Sequence, residues 1–452
     1  MDINMLLPFV PVDRRHALYQ GTPLPDRTHG AALFADISGF TPLTAALAAE
    51  FGRQRGAEVV LDYLNPIYEA LIAELHTYHG SVIGFAGDSI TCWIAEEAEK
   101  TAEERPALQF ASLSAVTCAF AMQNIMARMG HVRTPGGKEI VLSIKIAVAA
   151  GPARRFLVGH PRYQLFEALA GATLERMAAA EHQAEKGDVM VSAEVAEILE
   201  GALTIAEWRT EEETGRPFAR VSGLLNLAPR HPWSQLPAGA LSPEELQPWL
   251  ATAVIERLRS GAIYLAELRP VTSLFLKFEG IDYDGDDAAG YKLDAFIRWV
   301  QEILDRYGGT MRQLTIGDKG SNLLAVFGAP VAHDDDNARA IAAALELRTP
   351  SGELPFITPP QIGVSQGLVL PTVIRMGSRS LPAPAYCTLP LNSTSPAHSA
   401  CAGKVPVMLL RALVPKVAVA AEVKSTVAGV LLRVTGFSVI APRWLRWRMA
   451  MW

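Results

Sequence analysis

Apolar and polar residues follow strand and helix periods in turn along the first half of the chain. Residues 30–40 form a nearly continuous apolar run that ends in a glycine turn, which is the pattern of a buried strand. A helical stretch opens at Thr41. Residues 81–94 have the short apolar runs of a β-hairpin, with a glycine-containing turn at 86–88. The pattern therefore predicts a strand, a helix and a hairpin in that order.

The elements that follow keep this alternation. Asn65 and Pro66 have the pattern of an N-cap and a first-turn proline, and they predict the start of a further helix. We also expect a helix over 106–129, a buried strand over 144–151 and helical structure over 166–185, followed by a strand at 188–192. Strands alternating with helices indicate an α/β or an α+β fold, and we predict the second of these, an α+β fold built as an α/β sandwich.

The same order of elements recurs in the second half. Five prolines between residues 224 and 250 mark a linker, and an amphipathic helical pattern over 251–268 follows it. The segments that then match the first copy in order are 274–280, 291–307, 314–318, 324–327, 337–347 and 362–367. So many ordered matches predict an internal duplication. The predicted organisation is a first domain at 28–223, a linker and helix at 224–268, and a partial second domain at 269–368.

The repeat stops after Leu368, and the charge balance changes at the same place. Residues 369–452 contain ten Lys and Arg and a single acidic residue, whereas the other 368 residues contain 31 basic and 46 acidic residues. This segment has no counterpart in the first copy and lacks the periodicity of a new domain. We predict an irregular basic tail, produced by a shift of reading frame or a degraded gene end. The alternative is a genuine, divergent C-terminal extension.

Composition restricts the class of protein further. Of the 452 residues, 50% are hydrophobic and the net charge is -6, so we expect a folded protein without a nucleic-acid partner. The N-terminus lacks the features of a signal peptide, and we expect no transmembrane helix. Four cysteines without a CxxC pair suit a reducing, cytoplasmic compartment. Residues 444–452 mix aromatic and basic side chains, as membrane-surface segments do, although a chance terminus fits as well.

Two aspartates in the first copy suggest a metal site. Asp36 lies at the end of the first buried strand, and Asp88 lies in the hairpin turn. Mg²⁺ takes oxygen ligands and commonly uses one or two carboxylates together with substrate phosphates. The turn after Asp36 could direct backbone N–H groups at a polyphosphate. Alternatively, Asp36 caps the next helix and Asp88 serves its own turn, but the presence of both in one unit favours the metal site.

These motifs resemble those of a known family. The segments Phe34-Ala-Asp-Ile-Ser-Gly-Phe-Thr41 and Gly80-Ser-Val-Ile-Gly-Phe-Ala-Gly-Asp88 look like the class III adenylyl/guanylyl cyclase catalytic domain. A tandem pair in one chain resembles the soluble, bicarbonate-responsive type of adenylyl cyclase and its bacterial relatives. The resemblance implies two ferredoxin-like βαββαβ domains packed head to tail as an intramolecular pseudo-dimer, with the second domain truncated.

The resemblance also implies an activity and its residues. The expected reaction is the conversion of ATP to cyclic AMP and pyrophosphate by a phosphorus–oxygen lyase in intracellular signalling, with two Mg²⁺ or Mn²⁺ ions. ATP is the expected substrate in preference to GTP. The metal ligands would be Asp36, Asp88 and the carbonyl of Ile37. The residues expected to cradle the phosphates are Gly39, Phe40 and Thr41.

The second copy departs from the first in the residues that would bind metal. Lys277 stands where the first copy has Asp36, whereas Asp318 is expected opposite Asp88. The resemblance therefore implies that the second copy contributes to nucleotide recognition and not to metal binding. Lys319 would reach the adenine ring, with an exposed turn lysine as the alternative.

Three other positions bear on activity and on its regulation. Gly84 replaces a lysine that soluble relatives carry before the second metal aspartate, so bicarbonate responsiveness is not expected. Arg176 is either the first-domain arginine of the pseudo-symmetric nucleotide site or an ordinary surface residue. The Asn-x-x-x-Arg segment of the second domain has no match, since Asn392 is followed at the arginine position by Pro396. The alternative function is therefore a catalytically impaired module that binds nucleotide or metal and acts in regulation.

Overall fold

The computed structural model describes residues 3–96, 107–259, 269–317, 320–373 and 386–390. The first copy begins after two short 3₁₀ helices, Ile3–Met5 and Leu7–Phe9. Its elements, in order, are α1 (Val12–Gln20), β1 (Arg27–Ser38), α2 (Phe40–Phe51), α3 (Arg53–Thr77), β2 (Ser81–Ala86), β3 (Ser89–Ala95), α4 (Ala107–Met129), β4 (His131–Arg133), β5 (Glu139–Val141) and β6 (Ser143–Val158).

These elements form a ferredoxin-like βαββαβ unit. The sheet has the order β2-β3-β1-β6, and every neighbouring pair in it is antiparallel. Strand β1 lies between β3 and β6 in this unit. Its side chains from Ala31 to Leu33, together with those of Ala35 and Ile37, are buried, as expected for an interior strand. Both of its edges are paired, so a residue of β1 faces a defined partner on β3 and on β6.

A second group of elements enlarges this sheet to eight strands. The additional elements are β7 (Phe166–Ala170), α5 (Ala172–Gln183), β8 (Val189–Ser192), α6 (Ala193–Ile198), β9 (Leu203–Thr210) and β10 (Pro217–Leu224). Strand β8 lies parallel to β6, whereas β7 pairs antiparallel with the other end of β6. Helix α5 packs on β6 and β1, which places it beside the centre of the sheet.

The linker carries two further helices, α7 (Pro243–Leu246) and α8 (Thr252–Arg259). A capping box at Ser242 and Glu245 starts α7. A separate apolar cluster joins the linker to the N-terminal segment, with Leu6 and Val10 packed against Leu246. The N-terminal segment and the linker are thus held to each other by buried apolar surface.

The second copy repeats the topology of the first. Its elements are β11 (Arg269–Phe278), α9 (Ala289–Arg306), β12 (Thr310–Gly317), β13 (Gly320–Phe327), α10 (Asp336–Leu347), β14 (Gln361–Val373) and β15 (Tyr386–Pro390). The sheet order β12-β13-β11-β14 corresponds strand by strand to β2-β3-β1-β6, and β15 is added beyond β14. Helix α9 forms because its apolar residues recur at helical spacing, and the buried set is Leu293, Phe296, Ile297, Val300 and Leu304.

The two copies share one hydrophobic core. Phe156 and Val158 of β6, with Ala168 and Ala170 of β7, belong to the same buried cluster as the second copy's α9 and β11. The Arg154 guanidinium adds polar contacts across the same boundary, since its Nη1 donates to the carbonyl of Tyr283 at 2.8 Å and to that of Asp286 at 3.0 Å. The first copy therefore contributes part of the second copy's core.

Helix α4 is the one described helix that is long and apolar enough, by length and composition, to cross a membrane. The expectation that the chain has no transmembrane helix stays a prediction, because a helix in the core of a folded protein can meet the same two criteria. Two thirds of its most apolar stretch is buried, and it packs on β1, β3 and β6. These are the contacts of a core helix.

The structure corrects two of the predicted helices. Asn65 and Pro66 do not start a helix, because α3 runs through both positions from Arg53 to Thr77. Buried residues on either side, including Leu64 and Ile67, hold the helix together, which offsets the ~3 kcal/mol that an interior proline costs. The predicted helix over 166–185 begins instead at Ala172.

The residues before Ala172 form β7, which pairs with β6. A short apolar run such as 166–170 fits a strand or a helix, and its strand partner decides between them. The described part of the predicted irregular tail also differs from expectation. Strand β14 continues past Leu368 to Val373, and residues 386–390 form β15. Asn392 and Pro396 lie outside the described residues.

Candidate active site

Asp36 lies near the end of the central strand, where the ladder fixes its neighbours. Its register partners are Ser89 on β3 and Lys145 on β6. The backbone N–H of Ile37 donates to the carbonyl of Asp88 at 3.2 Å, and the Tyr68 hydroxyl donates to the same carbonyl at 2.9 Å. The structure therefore brings the two predicted aspartates together, with the hairpin turn fastened to β1.

The electrostatics of Asp36 show how close the two acids are. Burial, followed by the negative charge of Asp88, raises the pKa of Asp36 to about 7, even though Lys145 acts in the opposite direction. The Asp36 side chain is 20% exposed, so solvent screens this repulsion only in part. The structure thus places two negative charges close enough to disfavour the ionised form of Asp36.

Lys145 is a site residue that the sequence reasoning missed. Its Nζ lies 3.5 Å from Oδ2 of Asp36 and forms a closer ion pair with Oε1 of Glu181, on α5. A signal for Lys145 was present, because it is a charged residue within the apolar strand Ile144–Ala150, and a buried charge needs a partner. Glu181 gave no such signal, since nothing local in the sequence relates a helix residue to this strand.

The predicted phosphate loop has the geometry of a helix start. Gly39 has φ +94° and precedes α2, and a Cβ at this position would approach the carbonyl oxygen of Val141 to 2.6 Å. A side chain is therefore excluded here by both backbone conformation and space. Phe40 is buried, whereas Thr41 is exposed in the first turn of α2. The hydroxyl of Thr44 donates to the carbonyl of Phe40 at 3.1 Å and so fixes this turn.

Lys277 in the second copy takes the ladder position of Asp36. Its register partner on β14 is Gln361, as Lys145 is the partner of Asp36 on β6. The Lys277 ammonium pairs with Glu279 at 2.7 Å. The predicted replacement of a metal-binding acid by a lysine at this position is therefore present in the structure.

The described strands of the second-copy hairpin are longer than those of the first copy. Lys277 faces Asn322, and two further residue pairs, Ile316 with Ser321 and Gly317 with Gly320, follow before the turn. In the first copy the turn follows directly after the pair of Ala86 with Ser89. Beyond the level of Lys277, the described part of the second-copy hairpin therefore contains two more residue pairs than the first-copy hairpin contains beyond Asp36. Both Asp318 and Lys319 lie outside the described residues, so the adenine contact of Lys319 stays a prediction.

Arg176 does not lie at the aspartate pair. Its guanidinium donates to the carbonyl of Ala150 at 3.1 Å and to the Thr173 hydroxyl at 3.0 Å. Ala150 is five residues from Lys145 along β6, or roughly 16 Å. The Nε atom of Arg176 lies 3.3 Å from Oε1 of Glu194. A role for Arg176 in the pseudo-symmetric site stays a prediction.

The residues at the aspartate pair fit a divalent cation. Glu181 and Asp36 both act on the Lys145 ammonium, and Asp36 is partly buried and destabilised as an anion by burial and by Asp88. Two carboxylates beside a backbone carbonyl provide the oxygen ligands that Mg²⁺ and Mn²⁺ prefer. Asp36, Asp88 and the carbonyl of Ile37 are the residues that would hold the ion.

One comparison with known proteins matches the part of the chain that contains Asp36 and Asp88. Residues 27–216 match the family model of the adenylate and guanylate cyclase catalytic domain. This match confirms the resemblance to class III cyclases that the motifs around Asp36 and Asp88 predicted.

Individual relatives are distant. Adenylate cyclase type 10 from Homo sapiens is 22% identical over 373 residues, and the match covers 77% of this chain. The enzyme of the same name from Rattus norvegicus is 22% identical over 365 residues, or 75% of this chain. The chain spans 22% of the length of these curated relatives.

Two solved structures from Pseudomonas aeruginosa are also similar. The adenylyl cyclase CyaB is 18% identical, with a TM-score of 0.34, and the match covers 44% of this chain and 95% of that one. A class III adenylyl cyclase-like ATP-binding protein is 13% identical, with a TM-score of 0.46, and the match covers 79% of this chain and 78% of that one.

Proposed function

We propose that the protein is a nucleotide cyclase that converts ATP to cyclic AMP and pyrophosphate in the cytoplasm. The ribose 3′-hydroxyl loses its proton to water as its oxygen attacks the α-phosphorus, the new O–P bond closes the ring, and the bond to the β-phosphate breaks to release pyrophosphate. The two copies act as an intramolecular pseudo-dimer, in which the first copy holds the metal and the second contributes to nucleotide recognition.

The observation that carries this proposal is the juxtaposition of Asp36 and Asp88. After the effect of burial itself, the negative charge of Asp88 raises the pKa of the partly buried Asp36. Bound Mg²⁺ or Mn²⁺ would supply charge neutralisation at the phosphates and a more acidic ribose hydroxyl. Asp36 and Asp88 would hold the ions with the Ile37 carbonyl.

Residues beside the acids would bind the triphosphate. The turn at Gly39 directly follows the metal-binding strand and opens α2. The N–H groups of Phe40 and Thr41 therefore lie at the positive end of the helix dipole, which attracts anions. Lys145 adds a cation within 3.5 Å of Asp36, where it orients the bound phosphates. These groups would orient the α-phosphate for in-line attack and so lower the entropy cost of the reaction.

ATP is the proposed substrate in preference to GTP. The curated relatives that match over three quarters of the chain carry the name adenylate cyclase. Lys319 in the second-copy hairpin would contact the adenine ring.

The test is turnover by the purified full chain with ATP and either Mg²⁺ or Mn²⁺. Cyclic AMP and pyrophosphate in equal amounts are expected, with less product from GTP. Asp36→Ala and Asp88→Ala should each abolish product, because a single carboxylate is a poor site for two ions. Asp62→Ala is the matched control, since Asp62 is an exposed aspartate on α3. Nucleotide binding without any cyclic product would reject the activity.

A further inference from the structure

Lys145 has two acidic neighbours, and the structure favours one of them. Its ammonium forms a close ion pair with Glu181, whereas its distance to Asp36 is 3.5 Å. Burial acts to lower the pKa of Lys145, but Glu181 and then Asp36 outweigh that effect and raise it. Glu181 is thus the stronger partner of the lysine.

The position of Glu181 is electrostatically unfavourable within its own helix. It lies in the last turn of α5, which ends at Gln183, and a carboxylate near a helix C-terminus is unfavourable because of the helix dipole. The helix beneath it is firmly placed, since Met177 and Ala180 are buried against the sheet. Only 17% of the Glu181 side chain is exposed, so its carboxylate is directed at the lysine by a fixed backbone.

The consequence concerns Asp36. A lysine in this apolar strand needs a carboxylate, and without Glu181 the nearest is the predicted metal ligand. A full ion pair between Lys145 and Asp36 would compete with a divalent cation for the same oxygen atoms. On the proposed function, we infer that Glu181 is a positioning residue that holds the Lys145 ammonium away from full pairing with Asp36 and so keeps Asp36 available to the metal.

The test measures Mn²⁺ binding directly, by electron paramagnetic resonance of the full chain without nucleotide. Glu181→Gln should weaken Mn²⁺ binding ~10-fold, as is typical for a partner of a metal-site residue. Glu175→Gln is the matched control, because Glu175 is exposed on the same helix, and it should change the affinity less than ~2-fold.

A double-mutant cycle separates positioning from simple charge. If Glu181 acts through Lys145, Glu181→Gln should have an effect below ~3-fold in the Lys145→Met background. An equal loss in both backgrounds, or no difference between Glu181→Gln and Glu175→Gln, would overturn the inference. If Glu181→Gln does not fold, Glu181→Asp keeps the charge and shortens the side chain, and an unchanged Mn²⁺ affinity in that variant would also overturn it.

The same experiment distinguishes this inference from the proposed activity. Wild-type protein that shows the expected pattern of Mn²⁺ binding but forms no cyclic nucleotide would support the role of Glu181 and reject the cyclase. If the wild type is an active cyclase and Glu181→Gln binds Mn²⁺ as tightly as the wild type does, the cyclase activity is supported and the role of Glu181 is rejected. Wild-type protein that binds no Mn²⁺ would overturn the role of Glu181, whereas turnover of ATP would still decide the cyclase activity.

Discussion

A single main-chain hydrogen bond, 3.2 Å long, joins the amide of Ile37 to the carbonyl of Asp88. It fixes the hairpin turn against the strand that carries Asp36, so the two acids of the site are positioned by backbone structure. Their closeness therefore does not depend on a bound ion. The repulsion between them is present in the folded, metal-free protein, and this has consequences for stability.

The first prediction concerns the cost of ionising Asp36. Because its folded-state pKa is about 7, above the ordinary 3.8, the folded state binds the proton more tightly than the unfolded state. The free energy of unfolding should therefore fall as the pH rises from about 4 to about 7. Asp36→Asn should remove this loss and stabilise the metal-free protein by ~2–4 kcal/mol at pH 8, but by less than half as much at pH 5.

Urea denaturation in the presence of EDTA measures this difference. Mn²⁺ should then stabilise the wild type and have no such effect on Asp36→Asn, because binding to the folded state raises stability. A variant that is no more stable than the wild type at pH 8 would show that Asp36 is not under charge repulsion.

The second prediction concerns the phosphate loop. Gly39→Ala should destabilise the protein by ~2–4 kcal/mol, since the added Cβ meets the Val141 carbonyl as well as an unfavourable φ. Gly21→Ala is the control, because Gly21 has φ +66° at the end of α1 with open space around it, and it should cost only ~1 kcal/mol. Thermal unfolding compares the two variants, and equal costs would contradict the close approach at Gly39.

The same loop should influence nucleotide affinity. Gly39→Ala is expected to raise the KM for ATP, because it moves the turn that precedes the N–H groups of α2. Gly21→Ala should leave the KM unchanged. If the two variants have the same KM, the turn at Gly39 does not contribute to phosphate binding.

The third prediction concerns the buried ion pairs that fasten α1 to the sheet. Arg155 bonds to both Asp13 and Glu167, and Arg14 bonds to Glu167 as well. Despite burial, Arg155 lowers the pKa of Asp13, so the Asp13 carboxylate is ionised in the folded state. Asp13→Ala should cost ~3–5 kcal/mol because it leaves Arg155 without its main partner.

Mn²⁺ affinity provides a check on this third prediction. Asp13→Ala should leave it within about twofold of the wild type at a temperature where both proteins are folded, since the ion pairs are remote from the aspartate pair. A loss of stability below ~1 kcal/mol in chemical denaturation would show that the ion pairs contribute little.

The fourth prediction concerns the boundary between the copies. Arg154→Lys removes the Nη1 group that donates to the carbonyls of Tyr283 and Asp286, while it keeps the positive charge. Hydrogen exchange of residues 281–289 should therefore become faster. Arg162→Lys, at an exposed position after β6, should leave the exchange of this loop unchanged. The same exchange rate in both variants would contradict the role of Arg154 as an inter-copy contact.

Much of this architecture could be predicted from the sequence, because the strong signals are local. The apolar run through Asp36, the hairpin before and after Asp88 and the repeated order of elements are all visible in short windows. The positions that were misjudged depend on long-range packing. Pro66 lies inside a helix because buried residues on both sides hold it, and β7 is a strand because β6 pairs with it.

The site itself shows the same division. Asp36, Asp88 and Gly39 lie in motifs of a few residues, whereas Lys145 and Glu181, which pair between a strand and a helix, are 36 positions apart in the sequence. The extra residue pairs of the second-copy hairpin could not be predicted either. A Gly-Asp turn motif fits a short hairpin and a longer one equally well. Periodicity does not identify such contacts.

The most direct test of the central claim is the number of Mn²⁺ ions bound per chain in the presence of a non-cleavable ATP analogue. We predict two ions for the wild type, and a loss of tight binding in Asp36→Asn and in Asp88→Asn, with Asp62→Asn unchanged. Mn²⁺ binding that is unaffected by Asp36→Asn would contradict the assignment of this aspartate pair as the metal site.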